Sequence, residues 1–130
     1  MIDVACALIT RLNGQVLVTQ RSASMRLPLK WEFPGGKVEP DETAESCIVR
    51  EITEELMIKI KIVKRGIAHE YGEGKDSILL IPFYCKMITK EIKLTEHVAF
   101  NWLFPDELIS LDWAEADLPV LQDYLDSLSR

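Results

Sequence analysis

Three glutamates, Glu51, Glu54 and Glu55, stand at relative positions 0, +3 and +4. On a helix of 3.6 residues per turn they fall within an arc of roughly 100°, so all three side chains leave the same face. Such crowding costs about 0.2–0.5 kcal/mol for each exposed pair of like charges, and more where the pair is partly buried. A solvated face is the ordinary reading of a charge run, but it would intersperse lysines four residues along, whereas this stretch offers only Arg50. A divalent cation is the simpler relief. Mg²⁺ or Mn²⁺ takes oxygen ligands, keeps some of its waters and bridges carboxylates to phosphates. Zinc is not indicated, because His69 and His97 are far apart and lack a cysteine partner; both are expected as polar or packing residues.

The segment that must carry these glutamates reads as a helix from Thr43 to about Leu56. Ala44, Ile48, Ile52 and Leu56 recur at every fourth position as one apolar stripe, and Asp41 and Glu42 sit near its start, where carboxylates are favoured. Before it, Ile2 to Thr10 and Gln15 to Gln20 are predicted strands joined by a turn at Leu12-Asn13-Gly14. Arg21 to Lys30 is predicted to be a loop. Trp31 to Phe33 reads as a short strand stopped by Pro34, with Gly35 and Gly36 letting the backbone turn. After the helix, alternation over Ile58 to Ile62 predicts a half-buried strand, and Tyr71 to Asp76 a turn. Ser77 to Ile88 is a nearly continuous apolar run, hence a central strand, with Pro82 marking a possible bulge. Ala99 to Leu103 is a further strand, Pro105 to Ile109 one helical turn, and Leu118 to Leu128 a terminal helix with Leu121, Leu125 and Leu128 at helical spacing. The expected fold class is α/β, a sandwich with a mixed β-sheet between helices, as a single domain over residues 1–130.

The chain of 130 residues is long enough for its own core, and 48% hydrophobic with 28% charged residues is a globular balance. Its formal charge of −6 argues against a nucleic acid polymer as partner, which needs a basic face. An anionic substrate is then expected to be approached through a cation. No run reaches membrane-spanning length and Met1 to Ile9 lacks a basic leader, so no membrane partner and a cytoplasmic location are expected. Cys6, Cys47 and Cys85 are odd in number and widely spaced, and are expected as small buried hydrophobes. A monomer or homodimer is expected.

Residues Gly36, Glu42, Arg50-Glu51-Ile52, Glu54-Glu55 and Ile58 resemble the signature of the Nudix hydrolase family, with Met57 where that signature has a glycine. The resemblance extends through "TQRS", "WEFPGGKVEP", Glu96 ahead of "FNWL", and "ADLPVL". It is closest to the MutT-like nucleoside triphosphate pyrophosphohydrolases, the CTP pyrophosphohydrolase branch in particular, and implies the Nudix-type α/β/α sandwich. Further implications are that the Gly36 carbonyl, Glu51, Glu54, Glu55 and Glu96 hold Mg²⁺, for which Mn²⁺ can substitute. Arg50 would orient Glu51, and Glu42 would fix the loop to the helix. Glu51, with Glu96 second, would take the proton of the attacking water, and Glu54→Gln would remove activity through metal loss.

The same resemblance places Arg21 near the nucleotide and Asp117 at the base. Phe33 offers a ring on which a base could stack, or is plain core. An ionised Asp117 accepts hydrogen bonds only, so it needs a donor such as the cytosine N4 amino group; its other reading is a helix N-cap. The expected substrate is CTP, dCTP or a modified cytosine nucleotide. The alternatives are an 8-oxo-dGTP sanitising enzyme and, from another class, a non-catalytic nucleotide-binding module.

Overall fold

Alternate residues of the first strand, β1 (Ile2–Thr10), enter two different cores: Ala5, Ala7 and Ile9 one, Cys6 and Leu8 the other. A strand buried on both faces has to lie between two covering layers. The computed structural model describes residues 1–129. Along them β1 is followed by β2 (Val16–Gln20), β3 (Trp31–Glu32), β4 (Gly35–Lys37), α1 (Ala44–Leu56), β5 (Ile60–Arg65), β6 (His69–Tyr71), β7 (Ile78–Met87), β8 (Ala99–Leu103), α2 (Pro105–Leu108) and α3 (Leu118–Leu128). β1 runs parallel to β7, while the other strand pairs are antiparallel, so the sheet is mixed as expected. The apolar stripe of α1 packs on the face that holds Ala5, Ala7 and Ile9, and Val120 and Leu121 of α3 pack on the opposite face. All three cysteines are buried and free.

The site lies where the sheet opens. β1 and β2 pair only beside their turn, at Thr10↔Val16, and then part. Residues 31–37 fill the resulting wedge: β3 pairs with β2 through Thr19↔Glu32, and β4 pairs with β1 through Ala5↔Gly36 and Cys6↔Gly35. Pro34 crosses between them, its carbonyl accepting from Ala7 N–H at 2.9 Å. The two glycines therefore form a strand rather than the expected turn. Their lack of a side chain serves close approach: a Cβ on Gly35 would stand 1.9 Å from the Ala5 carbonyl oxygen, and one on Gly36 would stand 2.3 Å from Glu51 Cδ.

The apolar run of β7 does make a central strand, and Pro82 finds a place in it. On the parallel side Pro82 is opposite Cys6; on the other side β5 and β6 leave a gap, where Gly66 N–H donates to the Pro82 carbonyl at 2.8 Å. A residue without an N–H fits there at little cost. Tyr71, expected in a turn, instead closes β6. Leu128 is 51% exposed, so the helical spacing at the end of α3 outruns the buried face.

α1 begins at an N-cap, Thr43, whose Oγ1 accepts from Ser46 N–H at 3.0 Å. It ends at Met57, which takes the left-handed conformation (φ 56°, ψ 37°) with its N–H on the Thr53 carbonyl. A side chain in that region costs about 1–2 kcal/mol, and Met57 is 57% exposed, so it gains little from packing in return. Met57→Gly is expected to stabilise the protein by about 1 kcal/mol, a rise of a few degrees in thermal midpoint. Calorimetry of the two proteins checks this.

Candidate functional site

Arg50, on α1, gathers the acidic groups at the start of the site. Its Nε and Nη2 donate to Glu42 at 2.7 and 2.9 Å, and its Nη1 donates to Glu51 Oε1 at 2.8 Å and to Glu54 Oε2 at 3.2 Å. These bonds hold the Glu42 carboxyl down at about 2 and push the guanidinium upward. Glu42 also accepts from Glu39 N–H at 3.0 Å, which ties the preceding loop to the helix. The expected contacts of Arg50 with Glu51 and of Glu42 with the helix are both present.

Glu51 and Glu55 turn inward to a cavity of about 400 Å³, which Gly36 and Glu96 also line. Burial raises the Glu51 carboxyl; Arg50 opposes this, and Glu54 and Glu96 add to it. Glu55 is more extreme. It is buried, its Oε1 has no hydrogen-bond partner among the described residues, and burial with Glu51, Glu32 and Glu96 nearby pushes it to about 9. A buried carboxylate left unpaired beside others fits a hard dication, which would supply the missing partner charge. Among the described residues no three His, Cys, Asp or Glu side chains are drawn together closely enough to cage an ion. Glu54 in particular does not join the cavity; its carboxylate is 58% exposed and lies against Arg50.

Glu96 reaches the site because its loop docks on the end of α1. Lys93 N–H donates to the Leu56 carbonyl at 3.0 Å, Thr95 N–H to the Glu55 carbonyl at 3.1 Å, and Thr95 Oγ1 to the Glu54 carbonyl at 2.8 Å. Carbonyls that a helix end leaves unpaired thus anchor the acidic loop. The next residue corrects an expectation. His97 is no ordinary packing histidine: it is buried, with Nε2 2.8 Å from Glu32 Oε2 and Nδ1 3.6 Å from Glu55 Oε2. His69 does behave as a polar residue, pairing with Asp123 at 2.6 Å. Sequence reasoning missed both His97 and Glu32; their adjacency to Glu96 and Phe33 was the available signal.

At the other end of the cavity stand Arg21, Phe33 and Asp117. Arg21 Nη1 donates to Glu32 Oε1 at 2.9 Å. Phe33 is 3% exposed and packs on Trp113, ring centroids 4.8 Å apart, so it belongs to the core while bordering the cavity. Asp117 is brought in by residues 112–114, which run along β3 through Trp31 N–H to the Asp112 carbonyl and Ala114 N–H to the Trp31 carbonyl, each 2.8 Å. The N-cap reading fails, because the Asp117 side chain makes no cap bond; its Oδ2 accepts from Phe33 N–H at 2.8 Å. Burial lifts its carboxyl to about 8, with the Phe33 amide and Arg21 opposing and Glu32 adding. Burial thus favours its protonated form, which can donate as well as accept, over the ionised acceptor expected.

The cavity thus joins an acidic end to an end with an aromatic wall and a buried acid. The model of the NUDIX domain matches residues 1–124. The CTP pyrophosphohydrolase of Escherichia coli K12 is 34% identical over 125 residues, 96% of this chain and 92% of its own. The 8-oxo-dGTP diphosphatase of the same strain is 40% identical over 57 residues, 44% of each chain. The solution structure of the E. coli ORF135 protein superposes with a TM-score of 0.84 at 34% identity, covering 97% of this chain and 89% of that one. Among the described residues no helix is long and apolar enough to cross a membrane.

Proposed function

The chain belongs to the Nudix family of pyrophosphohydrolases, and we propose that it cleaves a nucleoside triphosphate to the monophosphate and pyrophosphate, with Mg²⁺ as cofactor and a cytosine nucleotide as preferred substrate. One arrangement carries the proposal: a single cavity lined both by the buried Glu55, whose Oε1 has no hydrogen-bond partner among the described residues, and by the buried acid Asp117.

Gly36 by its carbonyl, with Glu51, Glu55 and Glu96, would hold the ion, and Glu54, which leans on Arg50 outside the cavity, would have to turn inward to join them; Mn²⁺ suits the same oxygen donors. When bound, a divalent ion offsets phosphate charge and eases ionisation of water. Glu51 takes the proton of the attacking water at Oε2, since Arg50 occupies Oε1; Glu96 is second in line. Arg50 orients Glu51, and Glu42 fixes Arg50. Arg21 offers positive charge on the nucleotide side, and Phe33, held by packing on Trp113, borders the base.

Asp117 reads the base. Phe33 N–H occupies one lone pair of Oδ2. A protonated Oδ1 would then donate to cytosine N3 while the second lone pair of Oδ2 would accept from N4. The activity named for the E. coli relative supports the same base. Discrimination against 8-oxo-dGTP is expected to be weak, since that base also offers a donor and an acceptor. A non-catalytic binding module is the poorer reading, because the carboxylates of the family signature, Glu42, Glu51, Glu54 and Glu55, are all retained. A single domain, present in the cytoplasm as a monomer or homodimer, completes the proposal.

Release of pyrophosphate with Mg²⁺ across CTP, dCTP, 5-methyl-dCTP, 8-oxo-dGTP, ATP and ADP-ribose tests the assignment. Cytosine nucleotides should lead, and a preference for ADP-ribose would overturn it. Asp117 gives a second test. Its folded carboxyl titrates near 8 against an ordinary 3.8, so between those values the folded chain holds a proton that the unfolded chain has lost. Stability from this group is full below pH 4 and is lost as pH rises to about 8. Asp117→Asn should remove a fall in stability on the order of 3–4 kcal/mol between pH 5 and 8, read from urea midpoints.

A further inference from the structure

We infer that Arg21, Glu32, His97 and Glu55 form a buried positioning relay that couples the nucleotide end of the cavity to the cation end, with His97 as its central link. The inference rests on the proposed role of Glu55 toward a divalent ion. The groups follow one another in space: Arg21 Nη1 is hydrogen-bonded to Glu32 Oε1 at 2.9 Å and Glu32 Oε2 to His97 Nε2 at 2.8 Å, while His97 Nδ1 approaches Glu55 Oε2 at 3.6 Å without a hydrogen bond. Its members are withdrawn from solvent, with side-chain exposures of 20%, 15%, 0% and 8% in that order.

Glu32 has both oxygens committed, one to each neighbour, and its backbone carbonyl accepts from the fully buried Thr19 hydroxyl at 3.1 Å. It is therefore a brace and is not free to serve as a cation ligand. A histidine kept only for packing would have both nitrogens satisfied. Here Nδ1 of His97 and Oε1 of Glu55 are the buried side-chain atoms without a partner among the described residues. Both belong to the junction between imidazole and carboxylate, where a bound ion would engage Glu55 and leave His97 to hold the carboxylate in place. Groups that orient a ligating side chain from behind commonly change metal affinity 10–100-fold when removed.

Arg21 is the informative handle, because it is at the far end of the relay from Glu55. Replacing it by alanine deletes a positive charge, so simple electrostatics predicts tighter cation binding, whereas the relay predicts weaker binding. Mn²⁺ binding to the nucleotide-free full chain, followed by the paramagnetic signal of the free ion, should weaken about 5-fold in Arg21→Ala and about 10-fold or more in His97→Ala. The double variant should be no weaker than His97→Ala alone, since the relay is already cut. His97→Gln, which keeps a donor for Glu32, should recover most of the affinity and guards against loss of fold in the alanine variant. Mn²⁺ affinity within twofold of wild type in Arg21→Ala or in a folded His97→Ala, tighter binding in either, affinity in His97→Gln as low as the loss expected of His97→Ala, or effects that multiply in the double variant would overturn the relay. Absence of Mn²⁺ binding by the wild-type chain would instead remove the cation site itself, and the relay with it.

Discussion

Glu55→Gln is expected to lower pyrophosphate release by about 10³-fold while leaving the protein folded, because a proposed cation ligand worth several kcal/mol of transition-state stabilisation disappears. Glutamine has nearly the same shape, and Glu55 is buried on α1 with one oxygen unpartnered, so the exchange removes the burden of a buried acid without opening a cavity. The metal-free variant should be at least as stable as wild type at pH 8. Wild type should gain thermal stability on adding Mg²⁺, as any chain does when a ligand binds only its folded form, and the variant should not. Glu54→Gln provides the contrast. Its carboxylate is more than half exposed and leans on Arg50, so its loss should be the milder of the two. Wild-type turnover and an unchanged Mg²⁺ response in Glu55→Gln would refute the assignment.

Gly35→Ala and Gly36→Ala should fail in different ways. The added carbon of Gly35→Ala would meet backbone, 1.9 Å from the Ala5 carbonyl oxygen and 2.7 Å from Cys6 Cα. Neither atom can move without breaking the pairing of β4 with β1, so a loss of about 3 kcal/mol or more is expected. That of Gly36→Ala would first meet the carboxylate end of Glu51, at 2.3–2.6 Å. A flexible side chain can swing aside, so the fold should survive with a loss of about 1 kcal/mol. The displaced carboxylate, however, leaves the Arg50 bond and its place in the cavity, and turnover should fall about 100-fold. Urea unfolding and turnover, measured on both variants, separate the two outcomes. Equal stability loss in the pair would show that Glu51 cannot yield.

Local regularities made much of this molecule readable from its residues. The four-residue stripe of α1, the run that became α3 and the hairpin signal at Leu12-Asn13-Gly14 are properties of short windows, and the structure follows them. That Arg50 stands against Glu51 was implied by the family resemblance, whereas its contacts with Glu42 and Glu54 came only with the structure. What escaped was set by distant partners. Gly35 and Gly36 look like a turn until β1 is laid beside them. β6 is three residues long and exists because β7 offers its edge. Burial shifts Asp117 toward its neutral form because folding removes its water, and no neighbour along the chain records that. His97 and Glu32 meet across 65 positions, which no spacing rule connects.

β1 and β7 join in parallel through nine consecutive pairs, from Ile2↔Ile78 to Thr10↔Lys86, and this has a consequence for biogenesis. Parallel neighbours cannot arise from a tight hairpin, and closing so long a loop is slow relative to local structure. During synthesis the wedge and α1 emerge first, while one border of β1, rich in small and branched apolar residues, waits for a strand not yet made. That border is where nascent chains should stick to one another. Refolding yield should therefore fall with protein concentration more steeply than equilibrium stability alone would suggest.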